Sequence, residues 1–202
     1  RQMCIRDSTK VIPEVDAVRF ATLAANAGNT VKADLTTADA TYKAVATAEE
    51  AIEDMGVDLS TCLLYCTSSV KRLLRENVKQ NYRLGQGENP NGRFITWDEM
   101  KIVTVPTARF QSKIDLLDGT TSGEEDGGFA AAEDALAINF MIVHPSAAAA
   151  IQRHKKLRYF APDTNQKRDA HLWQYRLFHD LLVYPQQKGK IYAHTVAATL
   201  KA

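Results

Sequence analysis

Cysteine is scarce in this chain, with three among 202 residues, at Cys4, Cys62 and Cys66. An odd count without framework spacing excludes a disulfide-stapled scaffold and fits free, buried thiols in a reducing compartment such as a cell's cytoplasm. No apolar run approaches the roughly 18 residues that a membrane-crossing helix requires. The opening lacks the basic, apolar, small-residue order of a secretory signal. An excess of charge is missing as well: 25 Lys and Arg against 24 Asp and Glu leave a formal net charge of +1. Phosphate neutralisation supplies most of the affinity of nucleic-acid binders, which therefore carry a marked basic excess. Tight, direct binding to nucleic acid is not expected of this composition.

What is present is ordinary globular material, 45% apolar and 24% charged, enough for one domain or two small ones. A chain of this length buries roughly 70% of the surface its unfolded form exposes, so it can hold a real core. Arg1 to Ser8 (RQMCIRDS) are unpatterned and look like a translated sequencing-adapter remnant, which would make Cys4 an artefact. A helix is predicted over Pro13 to Asn26, with Glu14 and Asp16 at the positive end of its dipole and Gly28 at C′. Thr36-Thr37-Ala38-Asp39 opens a second helix to about Met55, closed by Gly56. Thr61 to Thr67 reads as a buried strand, followed by a basic helix from Val70 to about Gln80 that Ser68 or Ser69 caps. Phe94 to Thr96 and Met100 to Val105 form a strand pair. Leu117 to Asp134 is a Gly-rich, acidic surface insertion, expected to be mobile. Ala137 to Val143 is the most apolar strand, and Ser146 to His154 an alanine-rich helix. The end reads as a hairpin, His171 to Tyr184 against Lys190 to Val196, and the class is α+β.

Chemistry-bearing motifs fail on inspection. Gly85-Gln86-Gly87 opens like a dinucleotide fingerprint, but Pro90 stands where the third glycine belongs and no strand-turn-helix surrounds it. Cys62 and Cys66 on one strand would lie about 13 Å apart, too far for a disulfide or a shared metal. His179 and Asp180 are strand neighbours that point to opposite faces. The remaining histidines, His144, His154, His171 and His194, show no ligand spacing, and Glu124-Glu125-Asp126 lacks the order of a calcium loop. Arg153 to Arg158 (RHKKLR) leaves two readings open. The plain one is cations at the C-terminus of the preceding helix; the other is contact with a polyanion or a neighbouring subunit. No catalytic, cofactor-binding or metal-binding residue is assigned.

Several segments nevertheless resemble a known family in order and spacing. Val11 to Gly28 (VIPEVDAVRFATLAANAG) resembles the end of the spine helix in major capsid proteins of tailed double-stranded DNA bacteriophages. Tyr65 to Leu74, Ile102 to Phe110 (IVTVPTARF), Asn139 to Pro145 (NFMIVHP), Phe160-Ala161-Pro162 and Tyr175 to Tyr192 continue the pattern over nearly everything after Thr9. The resemblance implies the Hong Kong 97-like shell fold, with the chain its C-terminal fragment. Residues 1-8 would be the artefact and 9-36 the end of the spine helix in the peripheral domain. Residues 37-150 would form the axial domain, and 151-202 would return to the peripheral domain with a long antiparallel hairpin. It implies a self-assembling structural subunit rather than an enzyme, without cofactors or metals. Its partners would be further copies of itself, with scaffolding and portal proteins and weak contact with packaged DNA, but no membrane. It would reside in the virion capsid after assembly in the host bacterial cytoplasm. The alternatives are an encapsulin-type nanocompartment shell, which shares that fold, and a small α+β hydrolase. In the hairpin strand, Trp173, Tyr175, Leu177, Leu181 and Val183 share a face that must be covered, and the resemblance implies that the spine helix covers it.

Overall fold

The structure, a computed structural model, describes residues 10–81, 96–166 and 168–197. Arg1 to Ser8 and the glycines at 85 and 87 lie outside the described residues. Within them the chain is mixed α+β. Helix α1 (Ile12–Ala25) leads into strand β1 (Asn29–Lys32), then helix α2 (Ala38–Glu53), strand β2 (Leu63–Cys66) and helix α3 (Ser68–Asn81). Strands β3 (Thr96–Trp97), β4 (Met100–Thr104), β5 (Ile114–Leu117), β6 (Gly128–Ala131) and β7 (Ile138–Val143) follow. The long strands β8 (Ala148–Phe160) and β9 (Leu172–Val183) precede β10 (Ile191–Thr195).

Local chemistry starts the helices where the sequence indicates. The Thr37 hydroxyl accepts the Ala40 N–H at 3.2 Å, and α2 is stopped by Gly56 in the left-handed region (φ 70°). For α3 the cap is Thr67, whose hydroxyl accepts the Val70 N–H at 3.3 Å, one residue before the predicted serines. Each cap satisfies a donor that the first helical turn leaves without a partner.

One six-stranded sheet organises the rest, in the order β1-β10-β7-β2-β4-β3. Antiparallel pairs join β7 to both β10 and β2, while β1 with β10 and β2 with β4 are parallel. Such central strands lose water on both faces, which is why INFMIV and LLYC read as apolar runs rather than as alternation. One face carries Leu64, Cys66, Met100, Phe140, Ile142 and Tyr192 against Val45, Ala48 and Ile52 of α2 and Val70 and Leu74 of α3. On the other face, Met141, Val143, Ile191 and Ala193 meet Leu23 of α1, with Phe20 edge-on to Phe110 at 4.9 Å and to Tyr65 at 5.2 Å. Fully buried side chains of this size each contribute about 1.5–3 kcal/mol.

Four sequence expectations are corrected. Residues Ser146 to His154 are not a helix: a short 3-10 turn (Pro145–Ala147) leads directly into β8. Alanine's helix preference amounts to a few tenths of a kcal/mol per residue. It yields here to a ladder that pairs Ala148 with Val183 and continues to Phe160 with Leu172. The long antiparallel hairpin is therefore β8 with β9, and β10 leaves it to enter the sheet. The acidic 117–134 stretch is a built hairpin, β5 against β6. Its turn is fixed by the Asp118 carboxylate, which accepts the N–H groups of Thr120 and Thr121 at 2.6 and 2.7 Å. Finally, α1 covers the hairpin only at its base. Phe20, Leu23 and Ala24 pack with Leu181 and Val183, whereas Trp173 and Tyr175 stay exposed.

Gly28 serves close approach rather than a left-handed turn. Its N–H donates to Lys188 O at 2.9 Å, and a Cβ there would lie 2.7 Å from both Lys188 O and Gly189 Cα. Because backbone blocks that space, Gly28→Ala must separate the α1–β1 junction from the Lys188–Ile191 segment. Overpacking of this kind costs about 1–3 kcal/mol, a loss that thermal denaturation would read directly. Leu181→Asp should cost more than Leu177→Asp in the same measurement. Only Leu181 joins the buried cluster under α1, where a charge would lose water without a partner.

Candidate functional site

Histidines and cysteines are dispersed by the fold. Cys62 and Cys66 are buried, free thiols. Burial pushes both up, Cys66 to about 11, so neither is a thiolate at neutral pH. His194 sits inside the sheet, stacked on Phe140 at 4.9 Å, and takes the Asn139 amide at 3.2 Å. Burial holds its imidazole below the ordinary range, which suits a neutral ring in the core. His144 accepts the Ser146 N–H at 3.1 Å. His171 pairs with the Tyr159 hydroxyl at 2.6 Å. His179 lies opposite Gln152 and Asp180 opposite Ile151, on the two different faces of the hairpin. Among the described residues no group of three or more His, Cys, Asp or Glu side chains converges as a metal site would require.

A cleft of about 450 Å³ lies between α1, the ends of β2 and β4, and the hairpin base. Its polar feature is an ion pair from Arg109 to Asp16 at 3.1 Å, set among Phe20, Tyr65, Val105 and Leu181. The size falls within the range of ligand pockets. Its lining, however, contains no serine, cysteine or histidine. The ion pair pins the helix to the turn that follows β4, and the cleft reads as a seam between packed elements.

The exposed surface is more informative. The β8–β9 hairpin projects beyond the cover of α1, and its outer half shows Leu157, Tyr159, Trp173 and Tyr175 to solvent. Tyr159 and Trp173 are cross-strand partners with ring centroids 4.4 Å apart. Apolar area of this density on an exposed element marks an interaction surface. The stretch 153–158 belongs to this hairpin, so its cations do not stabilise the end of a helix. The reading as helix-terminal charge is overturned.

Glu49 was not legible in the sequence. It lies one helical turn from Val45 and Ile52 on the inward face of α2, and the residue is 8% exposed. Opposite it is the β3–β4 turn, where Asp98 and Glu99 both take positive φ, 39° and 67°. Burial, then the charge of Asp98, raises its carboxyl to about 7, against the partial relief of the Trp97 indole; Glu53 adds a smaller push upward. The unfolded chain releases this proton near pH 4.5, while the folded one keeps it to about 7. The unfolded state thus binds fewer protons in that window, so stability falls as pH rises through it and then levels off. Glu49→Gln should leave stability unchanged near pH 4.5 and raise it by roughly 1–3 kcal/mol at pH 8. Urea denaturation at the two pH values checks this, and an equal effect at both would refute it.

Comparison with known proteins was made at three levels. No family model matches the chain, and no curated protein sequence matches it. Among solved structures, the fold is similar to a chain from Mycobacterium phage Che8, with a TM-score of 0.54 at 12% identity. The match covers 91% of this chain and 58% of that one. At such low identity the likeness concerns the fold alone, and the present chain spans little more than half the length of its structural neighbour.

Proposed function

We propose that this chain is a structural subunit of a tailed-phage capsid, built on the Hong Kong 97-like fold and acting through its interfaces rather than through a catalytic site. The observation that carries the reading is the fold likeness to the Mycobacterium phage Che8 chain over 91% of this chain. The ordered run of sequence segments resembling tailed-phage major capsid proteins supports it independently. On this reading α1 and the β8–β9 hairpin are the peripheral elements, and the six-stranded sheet with α2 and α3 is the axial unit. The exposed aromatic strip of the hairpin then becomes subunit interface, consistent with the enrichment of Tyr and Trp in such contacts. Partners are further copies of the chain, with scaffolding and portal proteins joining during assembly in a bacterial host.

Expressing the complete gene product that contains this chain and imaging it by negative-stain electron microscopy tests the proposal. Uniform closed particles are the expected result. A small, monodisperse species with hydrolytic turnover would replace the capsid reading by an enzymatic one.

A further inference from the structure

The hairpin has two chemically distinct faces, and a β-bulge creates the difference. Arg153 lies opposite Phe178 and Lys156 opposite Arg176, so the two residues His154 and Lys155 face the single Leu177. An extra residue in one strand shifts every later side chain to the other face. Without it, Lys156 and Arg158 would join the aromatic side. With it, Arg153, Lys156, Arg158 and Arg176 share one face, together with the exposed Phe178 and the single carboxylate Asp180, while Leu157, Tyr159, Trp173 and Tyr175 share the other. Lys156 and Arg176 are direct cross-strand partners, an arrangement of like charges that destabilises an isolated ladder. All four cations are exposed, and none takes part in an ion pair among the described residues. A face of this kind is satisfied by an external anion.

The same chain carries the complementary surface. Segment 113–134 holds seven carboxylates against the single Lys113, an excess of six negative charges. Segment 148–183 holds seven Lys and Arg against three Asp, an excess of four positive charges. The β5–β6 loop also keeps its charge. Asp118 is held well below the carboxylate range by the N–H groups of Thr121 and Thr120, and Glu125 is lowered by its own N–H and that of Gly123.

We propose that the four-cation face of the β8–β9 hairpin docks on the acidic β5–β6 loop of a second copy of this chain. The choice of partner rests on the self-assembling reading above. Opposite charge excesses segregated within one nearly neutral chain favour a head-to-tail contact between copies over a nucleic-acid partner. A contact between two different surfaces of one chain closes into rings or extends into filaments, as its rotation dictates.

Charge reversal in pairs is the test, because all the residues changed are exposed and the fold can be checked by circular dichroism and thermal midpoint. One variant carries Arg158→Glu and Arg176→Glu, the other Glu125→Lys and Asp126→Lys. The wild-type chain is expected to associate in sedimentation velocity at about 0.1 M salt and to dissociate near 1 M, where the screening length falls from roughly 10 Å to 3 Å. Each variant alone should associate about tenfold more weakly or worse. An equimolar mixture should recover wild-type association, since each reversed surface then meets its reversed complement. A mixture no stronger than its components, or a wild-type chain that stays monomeric at low salt, overturns the proposal. So does loss of binding to a fluorescent DNA duplex in the first variant while both variants self-associate as wild type does. Recovery on mixing, with no closed particles from the complete gene product, would keep this contact and remove the capsid reading. Closed particles from the complete gene product carrying either reversed pair would do the opposite.

Discussion

Strand β10 sits between β7 and β1, and that placement holds the two ends of the described chain in one sheet. All five of its residues are buried. Tyr192 belongs to the core beneath α2 and α3, while Ile191 and Ala193 belong to the core beneath α1. A strand that contributes to two cores through alternate residues cannot slip by one position without exchanging both sets, so its register is strongly specified. The approach of Gly28 to Lys188 and Gly189 follows from the same geometry, because β1 can lie parallel to β10 only if the backbone entering it passes close by.

The hairpin depends on this arrangement. Between β7 and β10 the chain leaves the sheet, runs out along β8 and returns along β9. The two crossing points are held by the His144 N–H on Lys190 O at 3.1 Å and the Tyr184 N–H on Ala147 O at 3.0 Å. Near those bonds Leu181 and Val183 are covered by α1. Farther out the hairpin has its own ladder and few other contacts. A two-stranded ribbon with apolar side chains in water is marginal by itself, and this one carries Leu157, Tyr159, Trp173 and Tyr175 on one face and four cations beside Phe178 on the other. Both properties are relieved by a neighbouring surface, which links the shape of the monomer to a role in assembly.

Charge distribution carries information that the net charge conceals. The sum of +1 argues against a nucleic-acid binder, yet it contains two segments of strong and opposite sign. Glu49 makes the same point on a smaller scale. Its burial against Asp98 leaves a titratable group near neutral pH inside an otherwise apolar interface, and nothing in its neighbours Glu50 and Glu53 sets it apart by sequence.

Patterns that depend on near neighbours were readable in the sequence. The cap and stop of α2, the spans of α1 and α3, the buried runs at Leu63–Cys66 and Ile138–Val143 and the strand Leu172–Val183 all came from local chemistry, since hydrogen-bonding caps and side-chain periodicity act within a few residues. So did the inability of His179 and Asp180 to meet, which follows from strand alternation alone. The structure decided what distant segments do to one another. AAAIQRH is helix-forming by propensity and became strand because β9 offered a ladder worth more than alanine's preference. The acidic stretch looked like an open loop because the Asp118 turn that folds it depends on three residues adopting one geometry together. The bulge opposite Leu177, and with it the gathering of four cations on one face, exists only once β8 and β9 are paired, because a register shift has no meaning for a single strand.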